Sequence, residues 1–517
     1  MQSQRSKRIV KNSLILYLRT FITMIISLYS SRLILLALGV EDFGIYKLVA
    51  GFVMMFSIVS ASLTAASQRF ITFELGKPIE QQRLKEVFST TVIIHVGIAL
   101  VIFVLGQSIG VWFLNNQLNI EPDRISAANW VFQCSLIAFM LKIMSVPYKS
   151  LIVAHERMTA YAYINIAESS LRLLIVIALQ WILFDSLITY AFLVLLVGII
   201  IWFTYFSYSK RFFKKFTFSF ILDKNLIKNI SGFAGWNFIG AGSQILRVQG
   251  VNILINIFYG VAVNAAKGIS IQVEHALVTF TESFMTAIRP QITKSYASGD
   301  YKYFMSLIHK GARLSFYLTL IIALPAFLET SYILKVWLKI VPDYTVIFVK
   351  LSLIYVLLES LSRTLITAML ATGRIRNYQI IVGGLQLLNV PISYAFLAQG
   401  YQPQVVIVIS IAISLCMLIS RLIMLKKMIN LSISYFLNRV VFNSSIVLLL
   451  SVIAPYLVFI YLEEGLVRLL LVGISSLASV SLFVYFVGLS RQDKKIINKH
   501  ISEFITKQTI FKNKLQN

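Results

Sequence analysis

Long apolar runs separated by short polar segments make up almost the whole sequence. A helix of about 20 residues covers the roughly 30 Å hydrocarbon layer of a bilayer, and most runs are longer than that. The pattern predicts an all-α polytopic membrane protein with about fourteen transmembrane helices. The predicted spans are 12–38, 44–66, 87–114, 127–153, 160–184, 186–208, 230–259, 262–289, 303–330, 341–370, 376–398, 403–425, 438–462 and 466–490.

The sequence also contains an internal repeat. Residues 135–161 align without a gap to residues 352–378, at an offset of 217 positions. Two further matches, at offsets of 220 to 222, pair 39–47 with 260–268 and 69–78 with 289–300. The repeat covers six spans, and because six is even, both copies enter the membrane from the same side. We therefore expect two parallel six-helix lobes around a central cleft, followed by two additional helices.

The repeat determines the boundaries of the predicted domains. They are an N-terminal six-helix lobe at 1–210, a C-terminal six-helix lobe at 211–430, additional helices 13 and 14 at 431–490, and a basic cytoplasmic tail at 491–517. The longest segment between spans, about 209–229, is a basic connector. The sequence therefore predicts no separate water-soluble domain.

The formal net charge of +26 modifies this picture, because it could indicate a nucleic-acid-binding protein. However, most of the 47 Lys and Arg residues lie in alternate loops and at the two termini. This asymmetry follows the positive-inside rule and places both termini in the cytoplasm. Basic runs such as "KRFFKK" (210–215) then mark topology and contact membrane lipids, and no nucleic-acid partner is predicted.

The composition adds few candidates for other chemistry. Of all residues, 58% are hydrophobic and 13% are charged. Cys134 and Cys416 fall within predicted spans, so we predict no thiol site, metal site or cofactor. The sequence lacks the phosphate-binding pattern GxxxxGK[ST], so an ion gradient, the membrane potential or a substrate gradient would have to drive transport.

Charged residues inside the spans are the main candidates for function. Such a residue costs from about 2.5 to more than 10 kcal/mol, so its side chain must face protein or water. The basic residues are Arg19, Arg32, Lys47, Lys142, Arg172, Arg247, Lys267, Lys350 and Arg363, and the acidic ones are Glu168, Glu274, Glu282 and Glu359. A basic excess favours an anionic substrate, particularly phosphate, whose oxygens match Arg.

Two acids precede an arginine by four residues, the favourable order for a helical ion pair. We therefore predict structural ion pairs between Glu168 and Arg172 and between Glu359 and Arg363. Three lysines lie near the estimated ends of spans, where long side chains reach the headgroups, and for these we favour that role: Lys47, Lys142 and Lys350.

The seventh span carries a polar face. At about 100° per residue, Asn237, Gln244 and Asn252 fall within roughly 80° of one another, and Arg247 lies at the edge of that sector. These side chains are predicted to line the cleft.

The eighth span has a charged face. Lys267, Glu274, Glu282 and Arg289 are separated by 7, 8 and 7 residues, so all four lie within roughly 80° of arc. Glu274 and Glu282 either bind a coupling H⁺ or Na⁺ or balance the neighbouring bases. His275 points about 100° away from Glu274 and is interpreted as a packing residue, with a proton relay as the alternative.

The segments "SQRFITFELGKP" (67–78) and "AIRPQITKSYASGD" (287–300), with the duplicated lobes, resemble the polysaccharide transporter family of the multidrug/oligosaccharidyl-lipid/polysaccharide exporter (MOP) superfamily. The likeness is greatest to Wzx-type flippases of O-antigen or capsule units. It implies a MATE-like fold and a non-enzymatic transporter in the bacterial inner membrane. The implied substrate is an undecaprenyl-pyrophosphate-linked oligosaccharide, which crosses to the periplasmic leaflet by alternating access.

The resemblance further implies a cationic central cavity built by the first, second, seventh and eighth spans. The bases of those spans, with two amides of the seventh, form the predicted substrate-binding set: Arg19, Arg32, Lys47, Asn237, Gln244, Arg247 and Lys267. A lipid-II-type flippase and a cation-coupled small-molecule exporter of the same superfamily remain alternatives. A glycosyltransferase or polymerase is disfavoured, because the outward segments, such as 115–126, are short.

Overall fold

The structure is a computed structural model that describes residues 2–54, 56–78, 81–116, 120–179, 181, 184–213, 218–220, 223–490 and 494. This part of the chain is all-α, with three short π-helical turns at Gly106–Gly110, Leu437–Phe442 and Val484–Gly488. The predicted tail at 491–517 lies, apart from residue 494, outside the described residues.

The helices are numbered in chain order. They are α1 (Gln2–Met54), α2 (Ser57–Glu74), α3 (Gln81–Leu105), α4 (Val111–Asn116), α5 (Ile125–Ala154), α6 (Met158–Leu179), α7 (Ser186–Phe212), α8 (Lys224–Ala297), α9 (Tyr301–Leu328), α10 (Thr330–Leu338), α11 (Thr345–Thr372), α12 (Arg376–Ala398), α13 (Val405–Ile429), α14 (Ile433–Phe436), α15 (Asn443–Tyr461) and α16 (Leu466–Phe483).

Twelve of the described helical segments are long and apolar enough to cross a membrane. Two further segments are the second half of α1, continued by α2, and the second half of α8. With these two, the structure accommodates the predicted fourteen spans and confirms the all-α polytopic class. Spans one and two, and spans seven and eight, are joined directly in α1 and α8 without a separate loop.

Two glycines bend these long helices. Gly39 in α1 has φ 76° and ψ 175°, and Gly260 in α8 has φ 76° and ψ −173°. L-residues with a side chain rarely adopt this conformation, so glycine is needed at both positions. The two kinks are 221 positions apart, which is the offset that the sequence repeat predicts.

The predicted second span at 44–66 is divided between two helices. Helix α1 ends at Met54, and α2 begins at Ser57. Met54, Met55 and Phe56 are all apolar, so the hydropathy pattern before Ser57 gives no sign of the break.

Aspartates mark where several helices begin. The Oδ1 atom of Asp185 accepts a hydrogen bond from the amide of Ile188 at 2.9 Å at the start of α7. Asp223 caps α8 in the same way, and Asp300 caps α9. Such caps satisfy amides that have no partner within the helix, and they fix the starting points of helices whose interiors carry only an apolar signal.

Helices α1–α7 are called the N-half below, and α8–α13 the C-half. In the N-half, α5 packs against α2, α3 and α7, and α1 packs against α6. In the C-half, α8 packs against α9, α11 and α12, and α13 packs against α11 and α12. Buried apolar side chains from both halves form one continuous core cluster.

The two C-terminal helices α15 and α16 pack against each other and against α9. Arg468 of α16 forms a two-pronged ion pair with the fully buried Glu329, with N–O distances of 2.8 and 2.9 Å. The hydroxyl of Tyr317 in α9 donates to Oδ1 of Asn443 at 2.7 Å. These contacts fasten the helix pair along α9.

Candidate functional site: two polar cavities and a closed interface

The C-half contains a polar cavity of about 270 Å³, called the C-half cavity. The first segment of α8 lines it with Asn237 and Gln244, and the second segment with Glu274 and His275. Asn237 and Gln244 of the predicted polar face therefore meet Glu274 of the charged face, and Asn252 does not line this cavity. The remaining polar lining residues come from α11, α12 and α13 and are Tyr355, Glu359, Arg363, Tyr378, Gln379, Gln386 and Arg421.

Two interpretations of the sequence change at this cavity. His275 is exposed to it and is not a packing residue of the core. The residue Arg421, which the sequence analysis missed, is almost fully buried, and its Nη1 atom lies 3.7 Å from Oε1 of Glu359. A polar stripe at Ser410, Ser414 and Arg421, with helical spacings of four and seven, could have indicated it.

The prediction of an ion pair between Glu359 and Arg363 is wrong. Glu359 accepts a hydrogen bond from Ser414 and lies beside Arg421. Arg363 instead donates from Nη1 to Oε1 of Glu282 at 2.6 Å. A four-residue spacing within a helix contributes only about 0.2 to 0.5 kcal/mol, so tertiary partners easily override it.

Glu282 is held between two guanidinium groups. Nη2 of Arg289 donates to its Oε2 atom at 2.5 Å, and Nη1 of Arg363 donates to its Oε1 atom at 2.6 Å. One carboxylate against two arginines leaves this group with a formal charge of +1. The geometry favours charge balance over ion coupling for Glu282.

Arg247 and Lys267 do not line the C-half cavity, although Arg247 contacts its lining residue Tyr355. Nη2 of Arg247 lies 3.4 Å from the hydroxyl of Tyr355, and its guanidinium lies 5.5 Å from the centre of that ring. Lys267 is 8% exposed, and its ammonium donates to Oγ of Ser270 at 3.4 Å. Within the described residues neither base forms an ion pair.

The N-half contains a second polar cavity, of about 260 Å³, called the N-half cavity. It is lined mainly by α5, α6 and α7, with further residues from α1 and α2, and its charged lining residues are Lys142, Lys149, Glu168 and Arg172. Nη2 of Arg172 donates to Oε1 of Glu168 at 3.0 Å, as the sequence spacing predicts. Lys142 faces this cavity, so its assignment to headgroup contact is wrong.

Arg19 belongs to the N-half and not to the group around Arg247 and Lys267. Its guanidinium lies 5.5 Å from the ring centre of Tyr161, and Lys149 lies 5.4 Å from the same ring centre. The predicted substrate-binding set is therefore divided between the two halves. The side chains of Arg32 and Lys47 lie outside the described part of the structure.

The two halves contact each other at the end where the sequence predicts the basic loops. Tyr17 of α1 stacks on Phe280 of α8 with ring centres 4.4 Å apart. One turn further along, the hydroxyls of Thr20 and Ser283 are 2.7 Å apart. These contacts close the space between α1 and α8 at this end.

Glu156 closes the same end from the loop between α5 and α6. Its side chain is 2% exposed and accepts hydrogen bonds from Gln291 at 2.6 Å and from Lys294 at 2.8 Å, both on α8. Arg8 of α1 lies 3.4 Å from the same carboxylate. Glu156 has a left-handed φ of 59°, a conformation that costs energy for a residue with a side chain. A single carboxylate thus ties three segments together.

The neighbouring His155 is kept neutral by its position. Burial is the main factor that lowers the pKa of its imidazole, to about 4, and the positive charges of Lys294 and Arg157 act in the same direction. Its ring lies 4.3 Å from that of Phe213, measured between ring centres. A neutral imidazole adds no positive charge to the basic side chains that surround Glu156.

No protein-family model and no curated protein sequence matches the chain. Solved structures do match its fold. A crystal structure of a MATE point mutant has a TM-score of 0.73 at 11% identity, covering 83% of this chain and 97% of the other. The outward-facing conformation of a multidrug resistance MATE family transporter of the MOP superfamily has a TM-score of 0.68 at 12% identity, covering 82% and 97%.

A third match is a MOP superfamily transporter from Pyrococcus furiosus, whose description states that the reverse polarity of its binding pocket suggests a different function. Its TM-score is 0.67 at 11% identity, and the match covers 82% of this chain and 96% of the other. At these identities the matches establish the fold and not the substrate. The chain therefore has the fold of the MATE transporters of the MOP superfamily.

Proposed function

We propose that this protein is a membrane transporter that moves an anionic, lipid-linked oligosaccharide from the cytoplasmic to the periplasmic leaflet of a bacterial inner membrane. The substrate is of the undecaprenyl-pyrophosphate type, such as an O-antigen or capsule unit. A lipid-II-type substrate shares the same polyprenyl pyrophosphate and fits the same argument. The prenyl tail would stay in the bilayer while the pyrophosphate and the sugars pass between the two halves.

The observation that supports an anionic substrate is the imbalance of charge within the membrane region. Three acids are already matched by arginines, since Glu168 pairs with Arg172, Glu282 binds two arginines and Glu359 lies beside Arg421. Several bases remain without an ion pair in the described residues: Arg19, Lys142, Lys149, Arg247 and Lys267. Unpaired charge in this environment is costly, and an anionic substrate would offset that cost.

The contacts between the halves support alternating access. They lie at the end of the molecule that carries the predicted cytoplasmic loops, and they consist of side-chain contacts that can separate without unfolding a helix. With this end closed, the conformation corresponds to the stage at which the substrate is released on the opposite side. Opening of the Glu156 contacts would admit the next substrate from the cytoplasm.

A cation-coupled exporter of small molecules is the second candidate. It is favoured by Glu274 and His275, which face the C-half cavity and form no ion pair within the described residues. A carboxylate with this position could take up H⁺ or Na⁺ as the substrate leaves. The same residues are compatible with ion-coupled movement of the lipid-linked substrate.

Reconstitution in vesicles tests the proposal. The purified protein is inserted with a labelled polyprenyl-pyrophosphate oligosaccharide, and transbilayer movement is followed by access of an external enzyme or quencher. We expect Arg247→Gln and Lys267→Gln to slow movement at least tenfold, because each removes an unpaired charge that meets the substrate. Lys350→Gln is the control for loss of a basic side chain within a span, since the ammonium of Lys350 lies over the ring of Phe327.

Wild-type protein that leaves the labelled lipid in its original leaflet would contradict the flippase. Movement of organic cations under a proton or sodium gradient, with no movement of the lipid, would favour the small-molecule exporter.

A further inference from the structure

Polar side chains on one stripe of α5 and one stripe of α6 line the N-half cavity. On α5, Ser135, Lys142 and Lys149 follow each other at seven-residue intervals, so they lie on one stripe of the helix with about 10 Å between successive positions. On α6, Asn165 and Arg172 have the same spacing. All five residues line the cavity, so the two stripes face each other across it.

The charges of this cavity do not cancel. The charged groups that act on Lys142 are Lys149, Glu168 and Arg172, which places all four in one cluster. Glu168 is occupied by its ion pair with Arg172. Two ammonium groups therefore remain uncompensated in a space of about 260 Å³.

Several hydrogen-bond donors at the cavity also lack an acceptor. The ammonium of Lys142 forms no hydrogen bond or ion pair within the part of the chain that the structure describes. The indole Nε1 of Trp202, which lines the same cavity, is buried without a partner. Both groups can only donate, and burying the indole N–H unpaired is unfavourable. The side chain of Lys142 is exposed at the cavity, so its ammonium is free to donate to a ligand there.

The sequence repeat shows that the basic stripe formed by Lys142 and Lys149 is specific to the N-half. The offset of 217 places Lys142 opposite Glu359 and Lys149 opposite Ile366, and both partners line the C-half cavity. Glu359 is engaged there by Ser414 and Arg421. The two halves thus hold cavities at equivalent positions, and the basic stripe occurs in the N-half copy.

We propose that the N-half cavity binds one phosphate-class oxyanion, of the size of phosphate or pyrophosphate, between Lys142, Lys149 and Arg172. Three groups that donate to oxygen, arranged around a narrow space, match the several acceptor oxygens of such an anion. The volume is below the 300 to 1,000 Å³ typical of pockets for larger ligands, so the cavity holds the charged group and not an oligosaccharide.

Which molecule supplies the anion to this site depends on the proposed function. If the chain moves a polyprenyl-pyrophosphate oligosaccharide, the cavity takes the pyrophosphate of that lipid. If it does not, the same chemistry selects a free inorganic anion.

The binding test uses the purified full-length protein in detergent and inorganic pyrophosphate as the probe. Titration calorimetry and the shift of the thermal unfolding midpoint measure its binding. We expect wild type to bind, Lys142→Gln and Lys149→Gln each to bind at least tenfold more weakly, and Lys142→Arg to restore most of the affinity. Lys350→Gln serves as the control and is expected to bind like wild type. Equal binding by wild type and both glutamine variants, or no binding by wild type at millimolar concentration, would overturn the site.

A competition test then identifies the source of the anion. Polyprenyl pyrophosphate in nanodiscs should displace inorganic pyrophosphate from the wild type, and polyprenyl alcohol should not. Displacement by the pyrophosphate lipid supports the substrate role, and its absence contradicts that role. Failure of lipid movement in the vesicle assay with intact pyrophosphate binding would overturn the flippase and leave the anion site standing.

Discussion

At the scale of single residues, the pKa of His155 makes the stability of the folded protein depend on pH. The folded protein keeps this imidazole neutral, with a pKa of about 4, whereas an exposed histidine titrates near 6.5. Between these two pH values the unfolded chain binds more protons than the folded one. Stability is therefore greatest above about pH 6.5 and falls as the pH is lowered towards 4.

We expect this histidine to contribute up to about 3 kcal/mol to the loss, because one pKa unit corresponds to about 1.4 kcal/mol. The variant His155→Asn cannot titrate, so its thermal unfolding midpoint should fall less between pH 7 and pH 4 than that of wild type. The measurement is a series of thermal unfolding curves in detergent across this range. Identical pH profiles for the two proteins would show that His155 does not carry the effect.

Residue-level prediction from sequence succeeded where the decisive interaction was local. The pair of Glu168 and Arg172 lies within one helix, and its spacing alone identifies it. The partners of Glu282 and Glu359 come from other helices, and a spacing of four residues holds no information about which helices will meet. Lys142 shows the same limit of sequence-based prediction. Its distance from the end of a span does not reveal whether its side chain faces a cavity.

At the scale of helices, the paired kinks at Gly39 and Gly260 are the clearest trace of the duplication in the backbone. Hydropathy predicts the neighbouring spans on both sides of each glycine. It does not predict that the two spans of each pair meet at a single non-helical glycine with no loop between them. The break between α1 and α2 is not predicted for a related reason, since the residues that lead up to Ser57 are apolar.

Replacement of either kink glycine by alanine should destabilise the protein by about 1 to 3 kcal/mol, because alanine does not readily adopt the positive φ found there. No neighbouring atom lies within 4 Å of the added Cβ at either site, so the cost comes from the backbone and not from packing. Thermal unfolding midpoints of Gly39→Ala and Gly260→Ala measure it.

Gly44→Ala is the matched control for these variants. Gly44 lies in the same helix as Gly39, also with open space around an added Cβ, and its φ is not in the positive range. Alanine there should raise stability by about 0.5 to 1 kcal/mol, because it favours the helix. Equal effects at Gly39 and Gly44 would contradict the backbone explanation.

At the scale of the whole molecule, the two halves must separate at their closed end if the protein works by alternating access. Thr20 and Ser283 lie on opposite sides of that contact. A disulfide between cysteines at these positions should therefore hold the end closed and abolish movement of the labelled lipid, and reduction should restore it. The measurement combines the vesicle assay with a gel shift for the cross-link, in a chain carrying Cys134→Ser and Cys416→Ser.

The hydroxyls of Thr281 and Thr319 are 2.9 Å apart and both lie in the C-half, so they provide the control pair. A disulfide there should form equally well and leave transport intact. Undiminished transport in the cross-linked Thr20→Cys and Ser283→Cys protein would rule out separation at this contact. The sequence predicted two lobes around a cleft, but not which residues close it, because that depends on how helices from distant parts of the chain approach each other.

The attachment of the two C-terminal helices, α15 and α16, determines which half of the molecule they move with. Glu329, Tyr317 and Arg313 anchor them along α9, the last through a hydrogen bond from Nη1 to the carbonyl of Gly488 at 2.9 Å. If the two halves rock against each other, this helix pair would move with the C-half as one rigid body. A fluorophore placed on it would report the tilt of the C-half from outside both cavities, which leaves the transport path undisturbed.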